Sequence, residues 1–90
     1  VGVVVLVTSQ EGELLADPEL ILQGLPTDDD VKNITEEGSR AVEDAVNALS
    51  ERSRQDDARM AEAARVALRR LIRSRLGKNA VVEARIIRVA

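Results

Sequence analysis

The chain opens on Val1-Gly2-Val3-Val4-Val5-Leu6-Val7, a run that is apolar on both faces of an extended segment. Side chains alternate along a strand, so Val3, Val5 and Val7 point one way and Val4 and Leu6 the other. Where helices cover only one side of a small sheet, each strand normally shows a polar face to water. A strand apolar on both sides is either sandwiched or awaiting a partner. The polar turn Ser9–Gly12 follows, and Glu13–Ala16 resumes the extended pattern, which predicts a hairpin with a Gly-containing loop. Asp17-Pro18 interrupts it with a bulge, edge or bend, because proline cannot donate to a strand ladder. Glu19–Gln23 is a second apolar stretch, closed by Gly24-Leu25-Pro26.

Beyond that point the period changes. Thr27-Asp28-Asp29-Asp30 supplies capping and dipole chemistry for a first helix, with Asn33 as an alternative start. Ile34, Gly38, Ala41, Val42, Ala45, Val46 and Leu49 then recur at helical spacing. Ser50–Gln55 breaks the pattern. Asp56 or Asp57 caps a second helix to about Leu76, whose buried stripe is Ala61, Ala64, Leu68, Leu71 and Ile72, and Gly77 is its stop. Ala80–Val89 is the last strand. Val82, Ala84 and Ile86 share the face assigned to the helices, leaving Val81, Glu83, Arg85, Ile87 and Val89 on the other. The expected fold is α+β: a three-stranded sheet with two helices packed on one face, in β-β-α-α-β order.

Composition narrows the chemistry. Ninety residues make one domain, 1–90, and the first residues read as a piece of a longer chain. The absence of Phe, Trp and Tyr leaves an aliphatic core and predicts marginal stability, for which docking to another surface is a remedy. With no Cys and no His, disulfides, zinc sites and Ser-His or Cys-His nucleophilic catalysis are excluded from this segment. No apolar run approaches the roughly 18 residues of a membrane helix, so no membrane partner is expected, and cysteine usage fits a cytoplasmic location. There is no phosphate-binding glycine loop and no nucleophile elbow. No catalytic, cofactor-binding or metal-binding residue is assigned.

Charge then splits the chain. Residues 1–51 carry twelve acids and two bases, whereas residues 52–90 carry eleven bases and four acids. On the second helix Arg59, Arg65, Arg69, Arg70 and Arg73 span an arc of roughly 140° away from the apolar stripe. That arc is a candidate RNA contact, weighed against a solvated helix face partly neutralised by Glu62. The stronger candidate is the open sheet face. Val3, Val5 and Val7, or their even-numbered neighbours, together with Val81, Ile87 and Val89, form an apolar patch of the kind that marks an interface.

Glu13-Leu14-Leu15-Ala16-Asp17-Pro18-Glu19-Leu20-Ile21-Leu22-Gln23-Gly24, directly after a valine strand, resembles the C-terminal domain of ribonuclease J. Two helices follow, then a basic turn at Leu76-Gly77-Lys78 and a closing strand ending Ile87-Arg88-Val89. The chain departs from the family pattern at Leu25-Pro26, at Ile72-Arg73-Ser74 and at Ala80. The resemblance implies a non-catalytic C-terminal domain of a larger metallo-β-lactamase/β-CASP ribonuclease that degrades and processes RNA from the 5′ end and internally. It places the zinc in the parent enzyme and not in this segment. It also implies self-association and contact with the parent catalytic domain, with RNA as a second candidate partner and a protein-docking adaptor as a further alternative.

Overall fold

The computed structural model describes residues 2–23, 28–77 and 79–89, and within the first helix it describes side chains from residue 32 onward. Strand β1 (Gly2–Ser9) is central in a three-stranded sheet of order β2-β1-β3, with β2 (Glu19–Leu22) antiparallel to it and β3 (Val82–Val89) parallel. Helix α1 (Asp28–Asn47), the single turn α2 (Glu51–Arg54) and helix α3 (Asp57–Leu76) connect β2 to β3. The α+β order read from the sequence is the observed one, with one short addition. The polar stretch Ser50–Gln55, expected only as a break, winds into α2 because the Ser50 hydroxyl accepts a hydrogen bond from the Ser53 amide at 3.2 Å. A four-residue turn has no hydrophobic period to read.

The double-sided strand is resolved by parity. Val4 and Leu6 are fully buried beneath the helices, while Val3, Val5 and Val7 stay half-buried on the opposite, open face. The core joins them to Ile34, Val42 and Val46 of α1, to Met60, Ala64, Leu68 and Ile72 of α3, and to Val82. Each fully buried aliphatic side chain contributes roughly 1.5–3 kcal/mol. The α3 stripe holds the expected Ala64, Leu68 and Ile72, with Met60 in place of Ala61 at its start. Met60 is fully buried, and Ala61 and Leu71 lie half-buried at its margins, since an i, i+4 ladder from Met60 points straight at the sheet.

Local chemistry sets the element ends. Asp56 caps α3 by accepting from the Ala58 and Arg59 amides at 2.9 and 3.2 Å, and Gly77 ends it in the left-handed conformation at φ 66°. The expected cap at Thr27 and the closing turn at Gly24–Pro26 lie outside the described residues, as does Lys78. Gly38 is a packing device: a Cβ there would lie 2.6 Å from Leu20 Cδ1 and 3.1 Å from Leu68 Cδ1. Its bare backbone lets β2 and α3 approach α1 together.

Asp17-Pro18 is a bulge in the β1–β2 pairing. Thr8 pairs with Leu14 and Val5 with Glu19, so Ala16, Asp17 and Pro18 stand opposite Leu6 alone. Two extra residues preserve parity, keeping Leu14 and Leu20 toward the core and Leu15 and Glu19 on the open face. The Ser39 hydroxyl fastens the bulge to α1 by donating to the Pro18 carbonyl at 2.8 Å.

The far end of the sheet is tied by Arg88, on the helix side of β3 with a side chain 16% exposed. Its Nε donates to Asp57 Oδ1 at 2.6 Å, its Nη1 to the Ser9 and Gln10 carbonyls at 3.3 and 3.2 Å, and its Nη2 to the Arg54 carbonyl at 3.0 Å. The β1 turn meets the same carbonyl. At Gly12, φ is 89° and a Cβ would sit 2.3 Å from the Arg54 oxygen.

Candidate functional site

Pairing across the sheet lays the open face out in rows. Val3 stands between Ile21 and Glu83, and Val5 between Glu19 and Arg85. Val7 stands between Leu15, whose amide donates to the Val7 carbonyl at 2.9 Å, and Ile87. Ser9 pairs with Val89 on one side and on the other donates its amide to the Glu13 carbonyl at 2.8 Å. All six residues expected for this patch fall on it: Val3, Val5 and Val7 half-buried, Val81 70%, Ile87 50% and Val89 46% exposed. Leu15 (54% exposed) and Ile21 (50%) complete it. Sequence reading missed both, although the alternation of Glu19 and Ile21 against Leu20 and Leu22 carries the signal.

Polar groups on the face are few. Arg85 reaches Glu83 two residues away at 3.8 Å, with both side chains more than 60% exposed. Such a pair contributes little to folding because water screens it, so both charges remain available to a partner. No helix lies on this side of the sheet among the described residues, since α1 and α3 both pack on the other.

The arginine arc of α3 divides. Arg65 forms two-oxygen hydrogen bonds to Glu62, with contacts down to 2.6 Å. That hydrogen bond holds the Glu62 carboxyl below the ordinary glutamate range against an opposing desolvation, and the charges of Arg65 and Arg69 add to it. Arg59 lies 3.8 Å from Asp56. Arg69, Arg70 and Arg73 are exposed, and among the described residues no carboxylate stands within ion-pairing distance of them. Of the ion pairs among the described residues, Arg75–Glu37 alone joins the acidic first half to the basic second half.

An open cleft beside the bulge is lined by Asp17, Glu19, Glu36, Ser39, Arg40 and Glu43. A zinc ion finds no suitable donor set, since the chain has no His or Cys and no three acidic side chains converge among the described residues. No described helix is long and apolar enough to cross a membrane.

The fold is an α+β domain: helices cover one sheet face, and among the described residues the other is open, with apolar side chains interspersed with a few charges. A family model, Ribonuclease J C-terminal domain, matches residues 1–89, and the chain belongs to that family. No curated protein matches it.

Proposed function

We propose that this chain is the assembly domain of a ribonuclease J-like enzyme, holding the RNA-degrading and RNA-processing machinery together without taking part in the chemistry. The observation that carries the reading is the open face of β1. Val3, Val5 and Val7 lie in line at the centre of the sheet, with Ile21 beside Val3, Leu15 and Ile87 on either side of Val7, Val89 beyond, and Glu19, Glu83 and Arg85 as the charged neighbours of Val3 and Val5. Contiguous apolar surface of this kind is the mark of a docking site. Family membership supports a parent that is a cytoplasmic zinc-dependent ribonuclease cutting from the 5′ end and internally. In this reading hydrolysis belongs to residues outside this chain, which carries no His or Cys. Replacing Val5 with Asp places a charge at the centre of the face while leaving the core untouched. It is expected to weaken association, read by sedimentation, with little change in thermal stability. Unchanged association would refute the assignment.

A second contact, with RNA, is favoured by Arg69, Arg70 and Arg73, exposed on one side of α3 with no ion-pair partner among the described residues. It predicts steeply salt-dependent RNA binding that is lost in a triple Glu variant. Undetectable binding at low salt would remove it.

A further inference from the structure

We infer that the outer edge of β3 receives an extended peptide of another protein, which joins the sheet as a fourth, antiparallel strand with an acidic C-terminal end. The surface is the rim of the sheet beside α3, separate from the open face.

Register defines the edge. The Gly2 amide donates to the Val81 carbonyl at 2.9 Å, and Gly2 stands opposite Val82 in a parallel pair. A strand residue turns its amide and carbonyl to the same side, and successive residues alternate sides. Glu83, Arg85, Ile87 and Val89 therefore bond to β1, whereas Val82, Ala84, Ile86 and Arg88 direct their main-chain groups away from the sheet. No described residue bonds to these outward groups. The two edges of the sheet are unlike. β2 has only four residues and is entered through Pro18 and the bulge, and all three features blunt an edge against strand addition. β3 is eight residues long, with an unbroken register and no proline. Its two open-face charges, Glu83 and Arg85, are of opposite sign.

A groove runs beside this edge, with Ala58, Ala61, Glu62 and Arg65 of α3 on one wall and Val82–Arg85 on the other. Ala84 and Ile86 point toward the helices yet are only half-buried, whereas Val4 and Leu6 on the same side of the central strand are fully covered. Helix cover therefore stops short of the outer margin of β3. Alternate side chains of an added strand complete it, and the two alanines leave room for small aliphatic groups.

Charge sets the direction. α3 runs opposite to β3: Asp57 at its start bonds Arg88, while Leu68 lies with Val82 around Gly2. Arg65 is occupied by Glu62. Arg69, one turn further along the same flank toward the Val82 end, is exposed with no ion-pair partner among the described residues. A strand antiparallel to β3 brings its C-terminal end to that place, so an acidic residue there meets Arg69. Antiparallel pairing is also slightly the more stable per residue.

The test uses the 90-residue chain carrying Val5→Asp, the variant expected to weaken association through the open face. The probe is a peptide that alternates valine and threonine and ends in two glutamates, with a lysine-ended version as control. Amide hydrogen exchange read by NMR is expected to slow about tenfold or more at Val82, Ala84 and Ile86 when the peptide is saturating, with Glu83 and Arg85 unchanged. Arg69→Glu is expected to weaken the glutamate-ended peptide about fivefold. Ala84→Pro deletes one outward amide, a change that an edge strand tolerates, and is expected to weaken binding about tenfold. Ala61→Lys, which fills the groove from the helix, is the second block should the proline variant not fold. Absence of protection at millimolar peptide overturns the proposal. Protection that grows with chain concentration alone gives the edge to a second copy and overturns the foreign peptide. Equal protection by the lysine-ended peptide overturns the acidic end.

Discussion

Arg88 is the side chain whose loss the structure predicts most sharply. Its guanidinium closes the end of the sheet against the junction of α2 and α3, and the perturbation is Arg88→Met, which keeps the stem and removes every donor. The Asp57 pair accounts for little of the effect, because Asp57 is 63% exposed and exposed pairs contribute about 1 kcal/mol at most. The Ser9 carbonyl keeps the Gly12 amide, at 3.1 Å, as an alternative donor. The Arg54 carbonyl is different: its hydrogen bond from Nη2 is partly buried, and hydrogen bonds to a charged group contribute about 1.5–3 kcal/mol. Adding the weaker Gln10 contact gives an expected loss of about 2–4 kcal/mol. For a chain of this size each kcal/mol moves the melting temperature by about 4–8 °C, so Arg88→Met melts at least about 8 °C lower. Urea unfolding at constant slope measures the loss, with Asp57→Asn as the control, expected to cost about 1 kcal/mol through its ion pair and its place in the first turn of α3. If the two variants lose equal, small amounts, the carbonyl clamp is not what holds this corner and the reasoning fails.

Other consequences are as concrete. Thr8 is fully buried and its hydroxyl has no hydrogen-bond partner among the described residues, so Thr8→Val is expected to stabilise the fold by about 1 kcal/mol, seen as a melting temperature higher by several degrees. Gly12→Ala places a methyl group against the Arg54 carbonyl at a positive φ, and is expected to cost about 2 kcal/mol or more in urea unfolding. The Glu62 carboxylate, followed by NMR, is expected to titrate below the ordinary glutamate range, and Arg65→Gln to move it back up. Because the folded-state value is the lower one, the Glu62–Arg65 contact is fully present above the ordinary glutamate range and is lost as pH falls through the lowered value.

The valines of β1 show what a sequence carries and what it leaves out. Alternation assigns Val3, Val5 and Val7 to one face and Val4 and Leu6 to the other, but parity is symmetric, and only the packing of α1 and α3 decides which set is buried. On β3 the answer was readable because Glu83 and Arg85 mark the open side. Gly77 and Asp56 were legible as helix ends because their chemistry is local. Ile21 was legible from the alternation along Glu19–Leu22, but how Leu15 lines up with it was not, since that depends on a bulge that shifts pairing by two residues between Leu14 and Glu19. Arg88 was opaque for a similar reason. Its main-chain acceptors are three carbonyls from two distant segments, and carbonyls leave no trace in a residue pattern.

The sheet order also sets a timetable. β1 is made first, yet its β3 partner lies 80 positions later in the chain, with Gly2 opposite Val82. At about 5–20 residues per second, synthesis leaves that edge without its partner for about 4–16 seconds. Val3–Val7 is uncharged and, apart from Leu6, β-branched, a composition prone to pair with a neighbouring nascent chain. The hairpin to β2 forms locally and covers one edge early, leaving a single adhesive edge until Val82–Val89 arrives. Folding of this domain therefore ends at its C-terminal strand, and a chain stopped short of residue 82 presents an unfinished sheet.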